Sequence, residues 1–268
     1  MAKIKNISLG ADPELFVERD GEIISAEGMI GGTKEEPKYI SEDGHAIQED
    51  NIMVEFNIPP CTDEEAFVDN LTHVEEHLET LLAVQGCSLN YSASAEVDPK
   101  YLTTIQAKMF GCEPDFNVYL KAPNTPPDPN GTLRSAGGHI HVGWDNPDQE
   151  QSELVIYAMD ITLGLPSVSL DTDTRRKEMY GLAGCFRFKD YGVEYRSLSN
   201  FWLKTEGLKR WAYQKTLEAI DLANSGLILD IIKTHGADIK DAIDNNNVDL
   251  AQELISQINT VIVENKVK

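Results

Sequence analysis

The chain has 268 residues and a formal net charge of −22 at pH 7, long enough to bury a sizeable core in one large domain or two small ones. So acidic a balance argues against sequence-independent nucleic-acid binding, which needs lysines and arginines facing phosphates, and against anionic membrane surfaces. Cys61, Cys87, Cys112 and Cys185 are scattered without a Cys-x-x-Cys pair, which excludes a zinc ribbon or a disulfide frame and leaves reduced, mostly buried thiols.

Met1 to Lys5 leads into a strand-like segment without a signal-peptide pattern, and no apolar run approaches about 18 residues. A soluble, cytoplasmic protein is expected. In Gly10-Ala11-Asp12-Pro13-Glu14-Leu15-Phe16-Val17, Leu15 and Val17 alternate with Glu14 and Phe16, and Asp20-Gly21 signals a type I′ hairpin. Asp12 and Glu14 are two apart, so an extended backbone sets both on one face, where their charges repel unless a cation intervenes. In isolation, a turn at Asp12-Pro13 with a solvated Glu14 is the simpler reading.

Residues 28–39 lack periodicity and read as a loop; Asp43-Gly44 is a second turn. From Glu49 to Pro60, Met53, Glu55 and Asn57 point one way and Val54, Phe56 and Ile58 the other, a half-buried strand ended by two prolines. Glu55 between apolar neighbours needs a partner if its face is buried. Thr62-Asp63-Glu64-Glu65 is a capping box opening a helix with Phe67, Leu71, Val74, Leu78 and Leu81 on one stripe, ended by Gly86. His73 and His77 have helical metal-pair spacing, but acids surround them and the stripe lies elsewhere, so they read as solvated. Asp98-Pro99 starts a second helix, ending near Phe110, and the proline-rich stretch 121–131 is a loop or flap.

That loop leads into Ser135-Ala136-Gly137-Gly138-His139-Ile140-His141-Val142-Gly143-Trp144. His139 and His141 share one strand face while Ile140 and Val142 bury the other. Gly137 and Gly138 remove side chains where a backbone or phosphate could approach closely. Two hydrogen-bonded strand histidines are the plain alternative. Residues 148–165 form a buried helix running into Pro166. Arg175-Arg176-Lys177 suggests an anion site or a solvated turn, and residues 180–184 a loop able to wrap a ligand. In the strand Tyr191 to Leu198, Glu194 and Arg196 share a face opposite Val193 and Tyr195. An arginine fork there suits carboxylate or phosphate oxygens, an internal ion pair being the alternative. From Thr205 onward the chain is helical, through Leu227–His235 and Val248–Val261, and is expected to pack against the sheet.

Four strands thus each offer polar groups on one face: Asp12/Glu14, Glu55, His139/His141 and Glu194/Arg196. Carboxylates with one or two histidines suit magnesium or manganese better than zinc. Acidic ligands with arginines are equipment for phosphoryl transfer. Neither a P-loop nor a Rossmann glycine fingerprint is present.

Gly-Ala-Asp-Pro-Glu-Leu-Phe, Val-Glu-Phe-Asn-Ile-Pro-Pro, Phe-Gly-Cys-Glu-Pro-Asp-Phe-Asn, Gly-Gly-His-Ile-His-Val-Gly and Tyr-Gly-Val-Glu-Tyr-Arg occur in that order between residue 10 and about 203. Together they resemble the phage-type carboxylate–amine ligases (amidoligases, COOH/NH2 ligase type 2) of the glutamine synthetase and glutamate–cysteine ligase superfamily. The resemblance implies an α+β fold, a curved antiparallel half barrel backed by helices, in one domain over 1–268 with a helical part from about 205. It implies that ATP phosphorylates a carboxylate and an amine then attacks the acyl phosphate. It also implies that Glu14 and Glu55 bind one Mg2+ (or Mn2+), and that Asp12, His139 and Glu194 bind a second, holding ATP phosphates. His141 and Gly138 would lie near the nucleotide, Arg196 would stabilise the transferring phosphoryl group, and Arg175 or Arg176 would be a further phosphate arginine. Two departures stand out: the superfamily usually has Glu where this chain has Asp12, and a third carboxylate for the first metal is not obvious, Asp50 being the candidate. The implied partners are small-molecule or peptide carboxylates and amines, in the host cytoplasm if phage-encoded, with the oligomeric state open. The alternatives are an ATP:guanidino-type phosphotransferase, a metal-dependent hydrolase using His139 and His141, and a non-catalytic phage or binding protein.

Overall fold

The computed structural model describes residues 3–108, 115–125 and 131–266; Cys112 and the end of the helix expected near Phe110 lie outside them. Strands β1 (Ser8–Ala11) and β2 (Glu14–Arg19) are separated only by Asp12-Pro13. The expected hairpin forms at Asp20 and Gly21, with φ of 51° and 81°, and leads into β3 (Glu22–Ile24). Then come β4 (Lys38–Tyr39), β5 (Ala46–Asp50), β6 (Met53–Asn57), helix α1 (Glu64–Ala83) and β7 (Ser88–Asn90). Strands β3-β2-β6-β5-β4 lie side by side in one sheet, and β7 also pairs with β2.

The second half holds β8 (Ser94–Glu96), the short helix α2 (Ile105–Lys108), β9 (Phe116–Asn117), β10 (Ala122–Pro123), β11 (Leu133–Ser135) and β12 (Ile140–Gly143). Helix α3 (Gln149–Met159), a π-helical segment at Asp160–Gly164 and α4 (Leu165–Leu170) precede β13 (Cys185–Lys189) and β14 (Gly192–Tyr195). Helices α5 (Glu206–Asn224), α6 (Ile228–Asp244) and α7 (Val248–Lys266) end the chain. The second sheet runs β1-β12-β14-β13-β9-β10, and β8 pairs with β11 in a separate ribbon.

The two sheets meet at the Ala11–Glu14 segment. On one side Asp12 and Glu14 donate backbone N–H groups to the carbonyls of His139 (3.4 Å) and Gly137 (2.9 Å). On the other, Ala11 and Pro13 accept from the N–H groups of Ile58 and Phe56, each at 3.2 Å. The result is one open, curved antiparallel surface, as expected, with no closed barrel. Its convex side buries Leu9, Leu15, Val54, Phe56, Ile140, Val142 and Val193, and α3 backs β13 and β14.

Several local expectations need correction. Asp63, not Thr62, caps α1, accepting from the Ala66 N–H, because Asp63 is the last extended residue before the helix. The stretch after Asp98-Pro99 is not one helix: a 3-10 turn at Pro99–Tyr101 is followed by the separate α2. Pro166 does not end its helix. It sits in the first turn of α4, just after the π segment, where a missing N–H is tolerated. The continuous run Gln149–Leu170 is therefore long and apolar enough to cross a membrane, yet 72% of its apolar stretch is buried inside the fold as a core helix. Helix α6 continues past His235 to Asp244. Helices α5 to α7 pack chiefly on α1, α3 and α4 and form an outer layer, so the sheet is backed mainly by α3. Phe16 lies in a small separate cluster with Ile52, Val97 and Ala107, so β2 is apolar on both sides beyond Glu14.

Candidate active site

Strand register sets the site. Glu14 of β2 lies directly opposite Glu55 of β6, and Glu55 opposite Gln48 of β5. Across the junction, His141 of β12 lies opposite Glu194 of β14, and Glu194 opposite Arg187 of β13. Period-two alternation then turns this polar set to the concave side, where a cavity of about 680 Å³ is lined by Glu14, Glu55, Gln48, His141 and Arg187, Glu194 itself being fully buried and outside the lining. Like charges directly opposite on antiparallel strands destabilise the pair, so the facing Glu14 and Glu55 need a counter-charge.

The acids fall into two groups. Glu14, Asp50 and Glu55 each present a carboxylate oxygen within 4.8 Å of the others, and a ring nitrogen of His139 lies within the same distance of carboxylate oxygens of Asp12 and Glu194, themselves that close together. Asp12 and Glu14, alike in sequence position, separate here because Pro13 stands at the junction between sheets and each belongs to a different one. Glu55 is buried, its Oε2 without a hydrogen-bond partner. Burial first, then the charges of Asp12, Asp50 and Glu14, hold its carboxyl well above the ordinary range. Three oxygen donors around an unsatisfied carboxylate oxygen fit a hard divalent cation.

The second group is surrounded by cations. Burial and Asp12 push Glu194 upward, but Arg196, His139 and His141 overcome both and hold it at about 2. Its carboxylate meets the Arg196 guanidinium, and Lys189 Nζ at 2.7 Å. Asp12, too, is held well below its ordinary range: burial raises it, and His141 and His139 outweigh that. His139 Nδ1 lies 3.2 Å and His141 Nε2 3.0 Å from Asp12 Oδ1. The other ring nitrogen of His141 meets the Tyr191 hydroxyl. Two carboxylates and an imidazole suit a second divalent cation.

Gly137 is needed where it stands. A Cβ there would overlap the His139 ring, and its N–H donates to the Glu14 carboxylate at 2.6 Å, so one residue touches both groups. Gly138 does not line the cavity; its N–H bonds the Leu198 carbonyl and its carbonyl accepts from the Trp202 indole. The three adjacent cations part company. Arg175 is exposed and pairs with Glu96, while Lys177 donates to the Gly181 carbonyl. Arg176 is buried and lines the cavity, its guanidinium bonding the carbonyls of Ala136, Ser197 and Arg196. Residues 180–182 do line the cavity, and are pinned there: Lys177 holds Gly181, and the Ser197 hydroxyl holds the Leu182 carbonyl.

Sequence reasoning missed four members. Asp115 is buried and holds Arg196 Nε at 2.5 Å. Arg187 and Lys189 approach Glu194 from β13, and their two-residue spacing was a readable sign. Lys34 reaches Asp50 at 3.1 Å from the loop that lacked periodicity, where no pattern pointed to it.

Residues 131–216 match the family model described as phage phiEco32-like COOH.NH2 ligase-type 2. A solved structure described as apo GmaS without ligand is similar in fold, with a TM-score of 0.50 and 14% identity over 93% of this chain; the chain spans 62% of that structure. A second, described as a novel glutamine synthase homolog, aligns at a TM-score of 0.42 and 13% identity, covering 95% of this chain and 67% of that one. No curated protein matches.

Proposed function

We propose that this chain, which carries the COOH.NH2 ligase-type 2 pattern over residues 131–216, is an ATP- and divalent-cation-dependent ligase joining a carboxylate to an amine. The observation that carries the proposal is the pair of acid groups, Glu14/Asp50/Glu55 and Asp12/His139/Glu194, on either side of the junction between the two sheets, with Arg187, Lys189 and Arg196 in the same cavity. Oxygen-rich donor sets of this kind suit Mg2+ or Mn2+. When bound, such cations would supply positive charge against the phosphoryl group being transferred.

In the proposed reaction a carboxylate oxygen attacks the γ-phosphorus of ATP, and the bond to the bridging oxygen breaks to release ADP. The amine nitrogen then attacks the acyl carbon, the C–O bond to phosphate breaks, and the amine loses a proton. The products are an amide or isopeptide, ADP and phosphate. Glu14, Asp50 and Glu55 would hold one cation in this scheme; Asp12, His139 and Glu194 would hold the other. His141, fixed between Asp12 and Tyr191, faces the nucleotide phosphates. Arg196, gripped by Glu194 and Asp115, is preorganised to meet the developing phosphoryl charge without moving, which makes its electrostatic contribution larger than in water. Arg176 is a positioning residue: by tying three carbonyls together it sets the strand end that presents Arg196. The cavity, at about 680 Å³, falls in the size range of small-ligand sites. The substrates are small-molecule or peptide carboxylates and amines.

The test is mass spectrometry of mixtures of candidate acids and amines with ATP and Mg2+, alongside ADP release. An amide product, lost in Glu194→Gln with the fold retained, is the expected result. Phosphorylated acceptor without amide would replace the proposal with a phosphotransferase, and near-wild-type turnover by Glu194→Gln would sink the metal assignment.

A further inference from the structure

The two acid groups differ in what balances them. Glu194 and Asp12 lie among Arg196, Lys189, His139 and His141. Among the described residues, the Glu14/Asp50/Glu55 group is met directly by one ammonium, that of Lys34, 3.1 Å from Asp50 Oδ2, while the Arg176 and Arg196 charges also act on Glu14. Asp50 belongs to the strand, but Lys34 arrives on a loop, and that loop is built to deliver it.

Glu49, next to Asp50, points to the opposite face, and its carboxylate accepts the backbone N–H groups of Gly28, Ile30 and Gly31 at 2.8–3.0 Å. The Glu49 N–H in turn donates to the Gly32 carbonyl at 3.2 Å. Gly32 has a φ of +81°, and a Cβ there would lie 2.5 Å from the Ile47 carbonyl oxygen, so the loop is pressed onto β5 at that point. Thr33 and Glu36 then close a turn through two hydrogen bonds, which carries Lys34 round the strand edge to the concave face. The side chain keeps 38% of its surface exposed, against 18% for Asp50. Its loop is therefore fixed, while the ammonium has solvent into which it can withdraw.

We infer that Lys34 is a tethered counter-ion of the Glu14/Asp50/Glu55 centre, holding its charge until a divalent cation displaces the ammonium and takes its place on Asp50. The inference rests on the proposed metal site and adds a residue to it. A monovalent charge and a divalent cation cannot share one carboxylate group without strong repulsion. Cation binding here is consequently an exchange, and the centre's affinity is set lower than its three carboxylates alone would give. The released ammonium, still tethered at the cavity wall, is left facing an anion carried by the incoming cation.

The test is a Mn2+ binding isotherm followed by electron paramagnetic resonance at fixed ionic strength, with no nucleotide present. Lys34→Met should tighten one class of Mn2+ site at least threefold and leave the other unchanged. Lys34→Arg, which keeps the charge, should stay within about twofold of wild type. In the double variant Lys34→Met/Glu55→Gln the tightened class should vanish, which locates it. Unchanged or weaker binding in Lys34→Met, equal tightening in Lys34→Arg, or tightening that survives the double variant would each overturn the inference. Thermal melts of each variant establish that it is folded. Wild-type protein that binds no Mn2+ would defeat the metal reading as well, whereas two-class binding that Lys34→Met leaves untouched would defeat only the role of Lys34.

Discussion

Replacing Glu55 with Gln should make the metal-free protein more stable, the reverse of what a buried core substitution does. At a separation of 4.8 Å, the bound on the Glu14/Asp50/Glu55 oxygens, two unit charges repel by about 3.5 kcal/mol at an effective dielectric of 20. Glu55 has two such neighbours, and Asp12 acts on it more strongly than either, with Lys34 offsetting part of the charge. Partial protonation of Glu55 relieves more, so about 1–3 kcal/mol of net gain is expected at pH 8. For a chain of this length that is about 2–10 °C in Tm. The sign with pH is fixed: a carboxyl whose folded value is raised contributes its stability below the ordinary Glu range and loses it as pH climbs through the folded value. The advantage of Glu55→Gln should therefore shrink on acidification. With Mg2+ at about a hundred times its Kd, wild type should gain about 2.7 kcal/mol and the variant little. Thermal melts at pH 5 and pH 8, with and without Mg2+, read both effects. A lower Tm for the metal-free variant, together with an undiminished Mg2+ shift, would refute the account of this centre.

Arg175→Ala should leave the denaturant midpoint unchanged, since its pair with Glu96 is exposed; Arg176→Ala should cost about 2–4 kcal/mol in denaturant titrations, because it strands three buried carbonyls. Gly137→Ala should displace the His139 ring and weaken one class of Mn2+ binding at least about tenfold, with circular dichroism unchanged. Asp160 is buried behind the sheet, accepting from the Tyr195 hydroxyl at 2.6 Å, and burial above all raises it to about 7. Its contribution to stability is complete below about pH 4 and is lost as pH rises through 7, so Asp160→Asn should flatten the fall in Tm between pH 5 and pH 8.

Strand faces were legible because period two is a property of the backbone alone: Met53/Glu55/Asn57 and Glu194/Arg196 fall where alternation puts them. The same rule placed Asp12 and Glu14 on one face, yet it could not show that the chain changes sheets between them, since that depends on hydrogen bonds to Gly137 and Ile58, far away in sequence. Asp115 and Lys34 were illegible for a related reason. Each reaches the site from irregular backbone, where neither spacing nor neighbours reveal direction. The run Arg175-Arg176-Lys177 misled because adjacent residues in a 3-10 turn point to different sides, so clustering in sequence did not become clustering in space. The single helix expected after Asp98-Pro99 failed because a capping signal starts a turn without guaranteeing its continuation.

The Ala11–Glu14 segment works as a ruler. Its backbone is fastened on both sides, to His139 and Gly137 on one and to Phe56 and Ile58 on the other, and it bears one donor of each acid group, at positions two apart. The spacing of the two centres is thus written in main-chain geometry, not in side-chain length. Shortening a side chain, as with Asp at position 12, moves one donor atom and leaves the interval between centres as it was. Inserting or deleting a single residue between 11 and 14 would change the interval itself, and no substitution elsewhere in the floor could restore it.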